Sequence, residues 1–191
     1  MSGTTRERPL TPAGRRVLDV AGRLFYERGI GQVGMELIAA EAGVTKKTVY
    51  DRFGSKETLI LAYLRARDER WRAFLGERLA AAPSPRERIL VTFDAMGDWL
   101  RTNGSRGCSM VNACAEVPDP GHPVHKTAAE QKAWLRGLYL ELATEAGYDA
   151  PGPLADRLVV LHEGAVVMFS VGGMAHATDI ARETADLLLT A

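Results

Sequence analysis

Cysteine is nearly missing from this 191-residue chain, which has only Cys108 and Cys114. Two thiols make no disulfide framework of the kind that staples small secreted domains, so the expected address is the reducing cytoplasm. Long apolar runs are missing as well. A membrane span needs about 18–20 uninterrupted apolar residues. The most apolar piece, LVVLHEGAVVMFSVGGMA from Leu158, is broken by His162, Glu163 and several glycines, so no membrane partner is expected. The opening MSGTTRERPL is polar and lacks the apolar centre of a secretion signal. Period-two alternation, the mark of strands, is scarce, and no internal repeat or low-complexity tract stands out. There is no phosphate-cradling glycine loop, no base with an orienting partner and no metal quartet. His122 and His125, near Asp119, fall short of a closed ligand set and also suit surface or capping roles. No metal or cofactor is implied.

Net charge is absent too, since 24 Lys+Arg balance 24 Asp+Glu. That balance conceals an asymmetry. Residues 1–72 hold 14 Lys+Arg against 9 Asp+Glu, which leaves 10 against 15 for residues 73–191. A basic module precedes an acidic one.

What is present is helix. Thr11-Pro12 reads as a cap with proline at the first helical position. Val17, Leu18, Ala21, Leu24 and Phe25 then give one apolar face, ending near Gly29. A short helix follows around Met35–Glu41, with Gly43 as its stop, and a second runs from the Thr45 cap to about Phe53. Ser55 caps a longer helix toward Ala82, and Ser84-Pro85 with Glu87 reads as the start of the next. Cys108 to Glu116 is a short segment before the turn PDPGHP. A long helix holding Trp134 and Leu142 stops near Gly147, another begins around Pro153, and a last one covers about Thr178 to Leu189. The expected fold is all-α with about nine helices, divided into residues 1–56 and 57–191.

Two short helices joined by a turn at Gly43 have helix-turn-helix proportions. Ile38, Ala39, Val44 and Val49 would fix their angle. The polar remainder of the second helix, Thr45, Lys46, Lys47, Thr48, Tyr50, Asp51 and Arg52, exceeds what packing requires. Lys46 and Lys47 sit where the helix N-terminus carries partial positive charge, so they gain nothing locally and call for an anionic partner outside the chain.

The run IAAEAGVTKKTVYDRFGSKETLI resembles the DNA-binding signature of TetR-family transcriptional regulators through Ile38, Ala39, Ala42, Gly43, Val44, Thr45, Tyr50, Phe53, Ser55, Lys56 and Glu57. VAGRLFYERG resembles the first helix of that family. The resemblance implies an N-terminal three-helix DNA-binding domain and a larger ligand-binding and dimerisation domain. It further implies a homodimeric regulator, most simply a repressor, that binds palindromic double-stranded DNA and leaves it when a small molecule binds. Thr45, Thr48, Tyr50 and Lys56 are expected on the DNA backbone, and Lys46 and Lys47 at base edges. Gly34 at a cap, Lys47 and the pair Asp51-Arg52 depart from the common pattern, so no operator sequence carries over.

In the larger half, Phe93, Met96, Trp99, Met110, Trp134, Tyr139, Met168 and Phe169 read as core or, as the resemblance implies, as the wall of an apolar effector cavity. The effector is expected to be mainly apolar or aromatic, with His162 or Asn112 as polar contacts. RGCSMVNACAEVPDPGHP resembles the regulatory domain of one TetR subgroup. The helix after Pro153 is apolar over most of its circumference, so a second copy is expected against it. The resemblance implies that the last helix shares that interface, at Leu158, Ala165, Gly172, Ile180 and Leu187. Cys108 and Cys114 lie about 240° apart on an ideal helix and read as packed thiols or as a redox pair. Two readings without DNA stay open: a helical small-molecule carrier, and a Cys/His enzyme, against which no base–orienter set can be assembled.

Overall fold

The computed structural model describes residues 10–104 and 106–190. The polar opening segment lies outside the described residues. Among those described there are nine helices and no strands: α1 Pro12–Arg28, α2 Met35–Glu41, α3 Lys46–Phe53, α4 Lys56–Ala81, α5 Pro85–Thr102, α6 Ser109–Glu116, α7 Pro123–Glu145, α8 Pro151–Ser170 and α9 Ala177–Leu188. Caps set several of the starts. The Thr11 hydroxyl accepts from the Gly14 N–H at 3.2 Å, and the Ser84 hydroxyl from the Glu87 N–H at 3.2 Å, each ahead of a proline in the first turn. Each side chain satisfies a backbone donor that the helix cannot. α8 starts at Pro151, slightly before Pro153, and its N-terminus has no side-chain cap.

The chain divides into two compact units, Met1–Leu64 and Arg65–Ala191. The division falls inside α4, beyond the boundary expected at residue 56. The cause lies in the first two turns of α4, whose Leu59, Ile60, Tyr63 and Leu64 are buried. The Tyr63 ring stands 5.8 Å from that of Phe25 on α1. Gly22 makes room for it, because a Cβ there would lie 3.3 Å from the Tyr63 ring. Severing the chain before α4 would remove part of the three-helix core.

In the first unit α1, α2 and α3 pack on one another over Val17, Leu24, Ile38 and Val49, all fully buried. Arg23 ties α1 to Glu41 on α2. In the second unit α8 lies between α7 and α9, while α5 packs on α7 and α9. Phe93, Leu135, Tyr139 and Leu158 are buried at the centre. Arg86–Asp186 at 2.6 Å and Arg182–Asp94 at 3.0 Å join α5 to α9 at the surface. No described helix is long and apolar enough to cross a membrane.

Candidate functional site

The turn between α2 and α3 depends on Gly43, whose φ of +63° belongs to the left-handed region that L side chains avoid. Thr45 then caps α3, its hydroxyl accepting from the Thr48 N–H at 3.1 Å and lying 2.9 Å from the Thr48 hydroxyl. Val49 and Phe53 anchor α3 inward. The opposite face carries Thr45, Lys46, Lys47, Tyr50, Asp51 and Arg52, all exposed, with Thr48 half-buried beside them. Lys56, half-buried, opens the first turn of α4 next to the Ser55 cap.

The two lysines do have partners within the chain, which corrects the expectation that they gain nothing locally. Lys46 reaches back to Glu36 on α2 and lies 5.8 Å from the Tyr50 ring, and Lys47 pairs with Asp51 one turn on, at 2.7 Å. The hydrogen bond and charge of Glu36 hold the Lys46 pKa above the ordinary lysine value, and Lys46 in turn lowers that of Glu36. Sequence reasoning missed these pairs because i,i+4 spacing was legible only for Lys47–Asp51, and the Glu36 contact needs the angle between α2 and α3. Lys47 remains largely exposed, and exposed ion pairs are weak enough to exchange for phosphate.

The second unit holds a half-open cavity of about 80 Å³ between α4, α5, the start of α6, α7 and α8. That is room for several waters or one small organic molecule. Met96, Trp99, Met110 and His162 line it, joined by Trp71, whose ring stands 5.6 Å from Trp99 and 6.3 Å from His162. The other expected lining residues lie elsewhere. Phe93 and Tyr139 are wholly buried in the core, where their rings pack at 6.0 Å. Trp134 lies under the Arg72 guanidinium at 4.2 Å, Asn112 donates to the Arg106 carbonyl, Met168 is exposed, and Phe169 packs against the core. Helical spacing identified apolar faces but could not tell a cavity wall from the layer behind it.

Apart from His162, the polar residues of the cavity were not assigned to it from the sequence. Arg67, Asp68, Gln131, Lys132 and Glu163 all face the space, together with Cys108. Lys132 bonds Glu163 at 2.7 Å and lies 3.4 Å from the Cys108 sulfur. Burial opposes the Lys132 charge, but Cys108 and Glu163 together outweigh it and hold its pKa above the ordinary value. Cys108 and Cys114 are both free thiols; burial, aided by Cys108, raises the Cys114 pKa.

Behind the cavity runs a buried hydrogen-bond chain. The Thr92 hydroxyl is 2.7 Å from the Ile89 carbonyl, Tyr139 is 2.7 Å from Thr92, and His162 Nδ1 is 2.9 Å from Tyr139. One arrangement satisfies all three contacts: Thr92 donates to Ile89, Tyr139 to Thr92, and His162 Nδ1–H to Tyr139. It leaves Nε2 as the free acceptor of the ring. Burial, with a smaller contribution from Lys132, pushes the His162 pKa down to about 3, and burial raises that of Tyr139.

The helix pair α8 and α9 carries an outward apolar row. Leu158 and Ala165, expected at an interface, are buried inside their own unit. The outward row is two residues on, about 200° around the helix: Val160, Gly164, Val167 and Val171 are exposed, Val160 at 72% and Val171 at 82%. Gly172, Ile180 and Leu187 are also exposed. Each histidine near PDPGHP has a local role: His122 accepts from the Val124 N–H and caps α7, and His125 Nε2 bonds the Val117 carbonyl at 2.8 Å.

A three-helix unit whose third helix, α3, is capped and exposed, followed by a larger helical unit with a pocket of its own, defines the class of helix-turn-helix transcriptional regulators. The family profile for bacterial regulatory proteins of the tetR family matches residues 17–63. The crystal structure of SCO4454, a TetR-family transcriptional regulator from Streptomyces coelicolor, is 32% identical with a TM-score of 0.87, covering 93% of this chain and 94% of that one. The chain belongs to the TetR family. Among other relatives, the HTH-type transcriptional regulator YjdC of Escherichia coli is 27% identical over 176 residues, covering 91% of each chain. The HTH-type transcriptional activator FasR of Mycolicibacterium smegmatis is 29% identical over 167 residues, covering 87% of this chain and 69% of that one. The protein is a transcriptional regulator, not an enzyme.

Proposed function

We propose that this protein is a homodimeric, cytoplasmic repressor released from a palindromic operator by a small, mainly apolar ligand. The observation that carries the reading is the face of α3: seven polar side chains, Thr45 through Thr48 and Tyr50 through Arg52, turned away from the anchors Val49 and Phe53. A recognition helix in the major groove uses its N-terminal residues at base edges, where Lys46 and Lys47 stand, and both lysine heads are donors that suit guanine acceptors. Thr45, Thr48, Tyr50 and Lys56 hold the phosphate backbone, Lys56 doing so at a helix N-terminus whose free N–H groups already favour anions.

The exposed row Val160, Val167 and Val171 with Ile180 and Leu187 supports a dimer through α8 and α9, since an apolar surface of this kind on a monomer marks an interaction site. Two-fold symmetry then matches half-sites about 34–36 Å apart, or a multiple of that. The cavity-lining Arg67, Asp68 and Trp71 share helix α4 with Lys56. A ligand that prefers one arrangement of the dimer shifts the population by its differential affinity, and a few kcal/mol suffices to release DNA.

Selection of duplexes from a randomised pool tests the reading. The expected product is an inverted repeat whose binding weakens in the presence of the effector. A selected motif without two-fold symmetry, or no enrichment at all, overturns it. Within the selected site, Lys47→Ala relaxes preference at one or two base pairs, whereas Lys56→Ala weakens all sequences about equally.

A further inference from the structure

The polar atoms of the cavity are unevenly satisfied, and the unsatisfied ones share one character. The Asp68 carboxylate gives Oδ2 to Arg72 at 2.6 Å, while its Oδ1 is buried without a hydrogen-bond partner. The Gln131 side chain is nine-tenths buried, lines the cavity, and its Oε1 is likewise without a partner. His162 adds Nε2, left as an acceptor by the Thr92–Tyr139–His162 chain. Three acceptors therefore belong to side chains that line one small space. Among the cavity donors, Lys132 bonds Glu163, and Arg67 bonds the Asn103 carbonyl while over the Trp99 ring at 5.6 Å. Arg72 Nε, a buried donor without a partner, belongs to a residue of the adjoining cleft, a cleft that Asp68 and Gln131 also line.

Formal charge inside the cavity cancels, with Arg67 and Lys132 against Asp68 and Glu163. A ligand carboxylate or phosphate would leave the unpartnered acceptors of Asp68 and Gln131 unmatched, and the Asp68 charge would oppose it beside them. A buried acceptor left unmatched costs the desolvation of that group, so the favoured ligand is one that supplies the missing donor. Trp71 and Trp99, edge to face, provide flat apolar walls beside these atoms.

We propose that the effector is a small, uncharged aromatic molecule with an N–H or O–H donor, recognised by Asp68 and Gln131, with His162 as the third acceptor. This inference rests on the ligand-responsive regulator reading and names the ligand class of that cavity. The donor turns toward Asp68 and Gln131, and the ring lies against the tryptophan wall. Discrimination follows from chemistry: methylating the donor removes the hydrogen bond while barely altering shape.

Isothermal titration of the full chain with indole, N-methylindole and benzoate tests this. Indole is expected to bind about tenfold or more tighter than N-methylindole, the equivalent of one hydrogen bond, with benzoate weakest. In Gln131→Leu the indole preference should fall below about threefold while N-methylindole affinity is kept, and Asp68→Asn should reduce the preference in the same direction. Thermal melting followed by circular dichroism identifies variants that retain the fold, and either folded variant suffices. Equal affinity for indole and N-methylindole, benzoate binding best, an unchanged preference in a folded variant, or binding of none of the three overturns the proposal. The same preparation is assayed on selected operator DNA. DNA binding with no donor preference overturns the ligand class alone, whereas loss of both overturns the regulator reading.

Discussion

Acid should destabilise this protein through His162 before the carboxylates titrate. Its ring is buried in the second unit and held neutral, with its pKa pushed from 6.5 to about 3 by burial first and Lys132 second. In the unfolded chain it titrates near its ordinary value. Between those two pKa values the unfolded state binds a proton that the folded state refuses, so stability rises with pH there and falls on acidification. Each pH unit below 6.5 costs about 1.4 kcal/mol. Lowering the pH from 6.5 to 5.0 should therefore remove about 2 kcal/mol, and the loss saturates below about pH 3. Glu36 and Asp156, whose pKa values are lowered by Lys46 and Arg136, lose their contributions only in more acidic solution. Urea unfolding at fixed protein concentration, followed by tryptophan fluorescence across this range, measures the slope. His162→Gln removes the titrating group while keeping a polar side chain beside Tyr139, and its stability should be nearly flat from pH 6.5 to 5.0. The same loss in wild type and variant would refute the assignment.

Other perturbations follow from the same contacts. Tyr139→Phe leaves Thr92 and His162 Nδ1 without their shared partner and should cost about 1–3 kcal/mol in urea unfolding; an unchanged midpoint would contradict the buried network. Gly43→Ala meets no atom within 4 Å, so its cost of about 1 kcal/mol should come from the positive φ alone, and an unchanged melting temperature would refute that reading. Val160→Asp with Val171→Asp places two carboxylates on the outward row of α8. Sedimentation velocity should then show a folded monomer in place of a dimer, and a persistent dimer would place the interface elsewhere.

Much of the fold was legible because local chemistry fixes helix ends. Thr11-Pro12, Gly43, Thr45 and Ser84-Pro85 each announce a boundary with their own side chain or φ angle, and α1, α2, α3 and α5 begin or end accordingly. The division inside α4 was not legible, since nothing local marks Leu64. It arises because Leu59 and Tyr63 complete a core made by earlier helices. The same limit governed α8. Its nearly all-round apolar character is visible in the sequence, yet only packing shows that Leu158 faces inward and Val160 outward. At the cavity, an aromatic and methionine pattern pointed to Met96 and Trp99 but also to Phe93, which lies one layer deeper. Asp68 and Gln131 passed unremarked because a polar residue on a helix reads as solvated until its burial is known.

The central claim is that the polar face of α3 and the start of α4 grip DNA. Fluorescence anisotropy of a labelled duplex against salt, for wild type and a Lys46/Lys47/Lys56 triple alanine variant, tests it most directly. Wild type should bind and lose affinity steeply as salt rises, by roughly one power of salt concentration for each phosphate neutralised. The triple variant should bind far more weakly and with a shallower slope. Equal affinity and equal slope for the two proteins at low salt would contradict the account.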